Sequence, residues 1–254
     1  MKIISWNIGR KADAWRYLVQ SDADIALLQE ARQPPPELAS AVDVDDLPWR
    51  LEGRGREKAG RAAVVGLSKQ ITLKRRTLAS FADAQSGDIA VSRMGTLSVA
   101  DVTIADGTEV TVISAYSAWE TAYRENGKGW IYADASAHRL ISDISLLLTA
   151  QTTHRIIIAG DWNILHGYGD YGSAYWGARY TTVFERMSAL GLQFIGPQAP
   201  NGRVAEPWPA ELPADSRNVP TYHSSQQSPA TASRQLDFVF VSNALVDRVQ
   251  VRAL

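Results

Sequence analysis

Residues 155–163 read Arg-Ile-Ile-Ile-Ala-Gly-Asp-Trp-Asn, an apolar run that ends in polar side chains. The run predicts a buried β-strand over Ile156–Ala159, with Asp161 and Asn163 at the point where the strand stops. Side chains at the carboxyl ends of strands commonly form ligand sites in α/β proteins. The stretch therefore predicts a functional site at the end of a central strand.

Three further apolar runs carry polar residues in the same manner. They are Lys2–Ile8 with Asn7, Ile25–Gln29 followed by Glu30, and Gln235–Val241 with Asp237. Between the first two, Ala12–Ser21 has apolar residues at helical spacing, which predicts a β-α-β opening. The polar residues of the four runs predict one oxygen-rich, acidic cluster.

The rest of the chain continues the α/β pattern. Short strands are predicted over residues 62–67, 71–78, 96–104 and 110–115, and Asp106-Gly107 predicts a hairpin between the last two. Helices are predicted over residues 131–150 and 181–190. The proline-rich segment 197–233 lacks periodicity, and we expect it to line a cleft before the Asp237 strand.

Composition restricts the classes of function. The 254 residues are 45% hydrophobic and contain no cysteine, so a full core is possible and thiolate chemistry is excluded. The net charge of −1 provides no global attraction to nucleic acid, so any contact with a polyanion must be local. With no signal peptide or membrane-spanning run in the sequence, we expect one cytoplasmic, monomeric domain over residues 1–254.

The polar cluster suits metal-assisted hydrolysis of a phosphate ester. Glu30, with Asn7 nearby, supplies the oxygen ligands that Mg²⁺ prefers, and Mn²⁺ is a possible substitute. Asp161 can orient or deprotonate the attacking water, and Asn163 can donate to a phosphoryl oxygen. Asp237 lies within an apolar strand pattern, so it must be paired, and we expect it to orient a histidine or another donor.

Four motifs in order resemble the endonuclease/exonuclease/phosphatase superfamily, which includes deoxyribonucleases and abasic-site endonucleases. They are residues 4–8 (Ile-Ser-Trp-Asn-Ile), 27–30 (Leu-Leu-Gln-Glu), 160–163 (Gly-Asp-Trp-Asn) and 236–238 (Leu-Asp-Phe), with Tyr116 after a strand. The resemblance implies a four-layer α/β/β/α sandwich, with two mixed β-sheets face to face and helices outside. It also implies that Tyr116 contacts phosphate.

The chain departs from that pattern at two positions. Members of the superfamily usually continue past the Asp237 strand to a Ser-Asp-His motif, and we expect this chain to lack that motif and the C-terminal strand. A truncated sequence or a substitute group would account for this, and His166 and His223 are the histidines placed to reach a cleft. Gly9 stands where abasic-site endonucleases often have an acidic residue, so a second metal site is not implied.

Aromatic residues between 166 and 180 are candidates for substrate binding. With Trp162, His166 and His223, the candidates are Tyr175, Trp176 and Arg179. Aromatic rings on a loop can stack on bases. A loop folded over its own aromatic core explains the same pattern, and both interpretations stay open.

The sequence thus predicts a divalent-metal-dependent phosphodiesterase, with DNA as the favoured substrate. One alternative is a phosphatase or phosphodiesterase of a small phosphorylated molecule or lipid headgroup, which the near-neutral charge favours. A second is a non-catalytic nucleic-acid-binding module that has lost the terminal histidine.

Overall fold

Two β-sheets pack face to face within the first of two units into which the chain divides. The computed structural model describes residues 1–51, 58–104, 106–119, 132–148, 154–168, 172–224 and 226–253. The first unit comprises Met1–Tyr116 and Arg155–Asp161, and the second comprises Ser117–His154 and Trp162–Leu254. No helix in these described segments is long and apolar enough to cross a membrane.

In its described residues the first unit contains the α-helix α1 (Ala12–Gln20) and a 3-10 helix at Pro36–Ala41. Its strands are β1 (Ile3–Asn7), β2 (Ile25–Ala31), β3 (Arg50–Leu51), β4 (Lys58–Ala59), β5 (Arg61–Gly66), β6 (Thr72–Arg75), β7 (Leu78–Ser80), β8 (Ile89–Val91), β9 (Leu97–Thr103), β10 (Glu109–Tyr116) and β11 (Ile156–Asp161). The β-α-β opening, the hairpin between β9 and β10, and the strand before Asp161 are all confirmed.

One sheet has the strand order β1-β2-β5, with β1 and β2 parallel. In the other sheet β10 pairs parallel with β11 and antiparallel with β9, which pairs with β6. Strand β2 is buried on both faces. On one face Ala26 and Leu28 pack against Trp15 and Leu18 of α1.

On the inner face of β2, polar groups join the two sheets. The Gln29 Nε2 donates to Ser114 Oγ at 3.0 Å, and Ser114 Oγ donates to the Leu28 carbonyl at 2.7 Å. Both side chains are fully buried. Buried polar groups are costly unless they are hydrogen-bonded, so these bonds favour a single alignment of the sheets.

The second unit contains α2 (Ala133–Ile144), α3 (Ala174–Ala189), β12 (Leu192–Gly196) and β13 (Asp237–Ser242), with 3-10 helices at Ser145–Leu147, Pro229–Thr231 and Asn243–Arg248. Helix α3 packs against α2 and β12, and β12 pairs antiparallel with β13. The segment 197–233, expected to be irregular, contains the 3-10 helix Pro229–Thr231 and no other helix or strand in its described part.

The bounds of two helices differ from the sequence prediction. Helix α3 begins at Ala174 and not at residue 181, because Ser173 caps it by accepting a hydrogen bond from the Trp176 N–H. The predicted helix over residues 131–150 is confirmed only as α2 and the 3-10 turn after it, and positions 131 and 149–150 lie outside the described residues.

Candidate active site

Four of the predicted site residues come together at the carboxyl ends of parallel strands in the first unit. Asn7 ends β1, Glu30 is next to last in β2, Tyr116 ends β10 and Asp161 ends β11. The parallel register places Tyr116 directly beside Asp161. Of the predicted oxygen-rich cluster, Asn7, Glu30 and Asp161 therefore lie together, and Tyr116, the separate candidate for a phosphate contact, lies with them.

The amide of Asn7 lies between the two carboxylates. Its Nδ2 donates to Asp161 Oδ2 at 2.8 Å and to Glu30 Oε1 at 3.4 Å. Its Oδ1 accepts from the Gly9 backbone N–H at 3.0 Å, and this bond orients the amide with its nitrogen toward the carboxylates. In this orientation Asn7 holds two like charges near each other, and its oxygen is engaged with the backbone.

A β-bulge aims the carboxylate of Glu30. The register between β2 and β5 shifts between Leu28 and Ala31, and Glu30 has a φ of +48°. A bulge commonly redirects a side chain, and a left-handed non-glycine residue is strained unless its surroundings hold it. Gly60 leaves the necessary space, since a Cβ there would lie 2.9 Å from the Glu30 carbonyl oxygen.

Tyr116 is a protonated donor in this cluster. Its hydroxyl donates to Glu30 Oε1 at 3.1 Å. Burial, together with the negative charges of Glu30 and Asp161, raises the pKa of Tyr116 well above its usual range. The phenol therefore keeps its proton and serves as a neutral hydrogen-bond donor, not as a base.

Three residues that the sequence analysis did not select support this cluster. Arg10 pairs with Glu30, with Nη2 3.3 Å from Oε2. Gly60 accommodates the bulge, and Gly160 permits the close approach of β10 and β11, because a Cβ there would lie 1.8 Å from the Ala115 carbonyl oxygen. The glycine immediately before Asp161 was the feature of the sequence that could have predicted the close approach at Gly160.

The donor set fits one hard divalent cation. Glu30 is partly exposed and Asp161 is 6% exposed, and both supply carboxylate oxygens. Among the described residues, no three histidine, aspartate or glutamate side chains are grouped closely enough to hold a metal jointly. Mg²⁺ typically uses one or two carboxylates and keeps several waters, so Glu30 is the residue that would hold it.

Two of the predicted catalytic residues, Asn163 and Asp237, lie in the second unit. Asn163 has a φ of +52°, and its Nδ2 donates to the Ser117 carbonyl at 2.9 Å. Asp237 begins β13 and is partly buried, whereas its apolar neighbours predicted a position inside a strand. Removal from water raises the pKa of Asp237 to about 6, and a hydrogen bond from Thr221 opposes the rise.

Trp162 and His166 were both predicted to bind substrate, but in the structure both rings pack against other aromatic side chains. The Trp162 ring is fully buried against Phe240, with ring centroids 5.1 Å apart, so it offers no surface to a substrate in this structure. The His166 ring packs against both Phe184 and Phe194, with ring centroids 4.7 Å apart in each pair, and its Nδ1 is 3.1 Å from Asn218 Oδ1. Burial lowers the pKa of His166.

The aromatic candidates lie on the first turns of α3, and the prediction of a loop was wrong there. Arg179 binds the buried Asp134 at 2.6 Å, and its guanidinium lies 5.7 Å from the Tyr175 ring centroid and 5.8 Å from that of Trp176. Tyr175 is 59% exposed.

His223 is exposed, with Nδ1 3.1 Å from the Ser224 carbonyl oxygen. Positions 169–171 of the aromatic segment lie outside the described residues.

Parallel strands that end at a cluster of carboxylates are typical of α/β enzymes. Residues 4–253 match the profile of the Endonuclease/Exonuclease/phosphatase family. The chain therefore belongs to this family, whose members are generally hydrolytic phosphoesterases. No curated protein sequence matches the chain.

Solved structures with the same fold cover nearly the whole chain. The endonuclease domain of TRAS1, a telomere-specific non-LTR retrotransposon, is 16% identical over 98% of this chain and 88% of its own, with a TM-score of 0.55. The 3′-5′ exonuclease NExo from Neisseria meningitidis is 18% identical over 98% and 90%, with a TM-score of 0.54. The Xenopus laevis APE2 catalytic domain is 16% identical over 97% and 84%, with a TM-score of 0.55. These matches confirm the predicted α/β/β/α sandwich.

Proposed function

We propose that this protein is a divalent-metal-dependent phosphodiesterase and that it acts as a nuclease on DNA. The observation that carries the proposal is the pair of carboxylates, Glu30 and Asp161, held together by the amide of Asn7 at the ends of parallel strands. Two carboxylates in one small site differ in their exposure and their partners, so they can perform different tasks.

Asp161 has the role of the water-orienting group. Its carboxylate is almost fully buried, and Asn7 fixes one of its oxygens. A carboxylate held in this way can align a water and accept its proton. Asn163 is proposed to donate to a phosphoryl oxygen, and Asp237 to orient a catalytic donor, as the family resemblance implies.

Glu30 is proposed to hold Mg²⁺ or Mn²⁺. A bound divalent cation supplies positive charge that neutralises the phosphoryl oxygens as the transition state forms. Tyr116 keeps Glu30 in position by donating its one hydroxyl proton, and it remains protonated. If Glu30 turns to a metal, the same proton becomes available for a phosphate oxygen. Asn7 positions both carboxylates without itself changing charge.

Support for a DNA substrate comes from the structural relatives. One is an endonuclease domain, and another is a 3′-5′ exonuclease. The Neisseria protein is also described as a 3′ phosphatase bound to a product DNA hairpin. The rings of Tyr175 and Trp176 and the planar guanidinium of Arg179 supply surfaces on which bases could stack. These three residues and the exposed His223 are therefore our proposed substrate contacts.

A small phosphate ester is the second candidate substrate. The net charge of −1 favours it, because binding to duplex DNA depends largely on contacts between basic side chains and phosphates. The third candidate, a binding module without catalysis, would not require a carboxylate pair held in this way.

Hydrolysis assays with the Asp161→Asn variant test the proposal. Plasmid DNA, an abasic-site duplex and bis-p-nitrophenyl phosphate would each be incubated with Mg²⁺, Mn²⁺ or chelator. We expect chelator-sensitive cleavage of DNA that Asp161→Asn reduces at least a hundredfold, because the variant removes the accepting charge with little change of shape. Asp13→Asn is the matched control, since its carboxylate is 91% exposed in the same unit.

Each alternative outcome has a distinct meaning. Cleavage of the small diester alone would move the assignment to a small substrate. Full activity of Asp161→Asn with an unchanged melting temperature would contradict its role, and the absence of hydrolysis by the wild type would favour the binding module.

A further inference from the structure

Arg10 is fixed beside Glu30 by the backbone of both residues. The Arg10 N–H donates to the Glu30 carbonyl at 3.1 Å, and both residues have left-handed backbones, with φ of +67° for Arg10 and +48° for Glu30. Arg10 Nη2 then lies 3.3 Å from Glu30 Oε2. Left-handed arginine and glutamate are uncommon, so this approach is a specific arrangement and not a chance surface contact.

The two oxygens of Glu30 have different partners. Oε1 accepts from Tyr116 and Asn7, which are both neutral donors. Oε2 faces the guanidinium of Arg10, a permanent cation. A divalent cation that bound Glu30 through Oε2 would meet the positive charge of Arg10 at contact distance, and like charges at this separation repel strongly.

We propose that Arg10 is a built-in counter-ion, which a metal displaces from Glu30 and which then binds a phosphate of the substrate. The inference rests on the proposed function, since it requires a metal at Glu30 and a phosphate ester nearby. The Arg10 side chain is 49% exposed, so the guanidinium can swing away from Glu30 without leaving a buried charge. Its planar donors match two oxygens of a phosphate, a geometry that lysine does not reproduce.

The cost of displacement is small because the ion pair is partly exposed. Pairs of this kind contribute little to stability, and their loss corresponds to a two- to five-fold change in an equilibrium constant, roughly. Arg10 would therefore weaken metal binding slightly in the absence of substrate. With substrate present, Arg10 would strengthen the binding of the substrate phosphate. It would therefore couple metal binding to substrate binding.

Isothermal titration calorimetry of Mn²⁺ and Mg²⁺ into the substrate-free protein tests whether Arg10 competes with a metal for Glu30. Arg10→Ala should bind the metal about two- to five-fold more tightly than the wild type, because no cation competes for Oε2. Arg10→Lys should remain close to the wild type. Arg16→Ala is the matched control, as Arg16 is an arginine of α1 with 54% of its side chain exposed.

Steady-state kinetics at saturating metal test whether Arg10 binds a phosphate of the substrate. Arg10→Ala should raise KM about tenfold with a smaller change in kcat, and Arg10→Lys should recover only part of the loss, because it keeps the charge without the planar fork. Arg16→Ala should keep the wild-type KM.

The outcomes separate this inference from the proposed function. If the wild type hydrolyses its substrate but Arg10→Ala has unchanged metal affinity or unchanged KM, the counter-ion role is wrong and the function stands. If the wild type binds no metal yet hydrolyses the ester, the inference is also wrong. If the wild type hydrolyses nothing, both fail.

Discussion

Replacement of Asp237 by asparagine should stabilise the protein at neutral pH. Removal of this carboxylate from water raises its pKa from 3.8 to about 6. The folded state therefore binds the Asp237 proton more tightly than the unfolded state does. The stability that this proton contributes is fully present below about pH 4 and is lost as the pH rises through 6.

The magnitude follows from the pKa difference. A shift of one unit corresponds to about 1.4 kcal/mol, so ionised Asp237 costs the folded protein up to about 3 kcal/mol at pH 8. Asparagine has nearly the same shape and carries no charge, and its Oδ1 can still accept from Thr221. The gain from Asp237→Asn should be about 2–3 kcal/mol at pH 8 and should vanish near pH 4.

Urea unfolding followed by tryptophan fluorescence at pH 4, 5, 6, 7 and 8 measures this dependence. Glu185→Gln serves as the control, since it removes an exposed carboxylate of the same unit and should change stability little at any pH. A gain from Asp237→Asn that is independent of pH, or a loss of stability at pH 8, would refute the reasoning. If Asp237 also orients a catalytic donor, the stabilised variant should be the less active one.

Two further substitutions test the cluster in the first unit. Tyr116→Phe removes the donor to Glu30 Oε1 and should lower kcat about tenfold. It should also lower the free energy of unfolding by about 1.5–3 kcal/mol, because a hydrogen bond to a charged group contributes that much to stability. An unchanged initial rate would argue against this role. Gly160→Ala places a methyl group against the Ala115 carbonyl and should destabilise the protein by at least about 1–3 kcal/mol in urea unfolding while displacing Asp161. An alanine variant with wild-type stability and activity would show that β10 and β11 can separate freely.

The sequence predicted the elements that depend on hydrophobic period and turn chemistry. The run Ile156–Ala159 became a buried strand, and Asp106-Gly107 joined two antiparallel strands. It failed at Ala174–Tyr180, where glycine and aromatic residues suggested a loop. The N-cap at Ser173 and the packing of α3 on its neighbours outweighed weak local helix preference, and tertiary contacts of this kind leave little trace in a local pattern.

The candidate site was predicted as a set of residues but not as an arrangement. Strand ends identified Asn7, Glu30 and Asp161, because the carboxyl ends of parallel strands lie at one edge of a sheet. The bulge at Glu30 was not predictable, since it depends on a register shift against β5 and on the space left by Gly60, thirty residues further along the chain. The contact of Arg10 with Glu30 was not predictable either, because it depends on the hydrogen bond between the Arg10 backbone N–H and the Glu30 carbonyl.

The geometry of Glu30 links fold and proposed chemistry. A carboxylate on a regular strand would point to one face or the other, at an angle set by the pleat. The bulge, the left-handed φ and the absence of a side chain at Gly60 together turn Glu30 toward Asn7 and Tyr116. Strain of this kind persists only where the surroundings enforce it. The sheet therefore supplies the stability that holds Glu30 in position, and the position gives the carboxylate its partners.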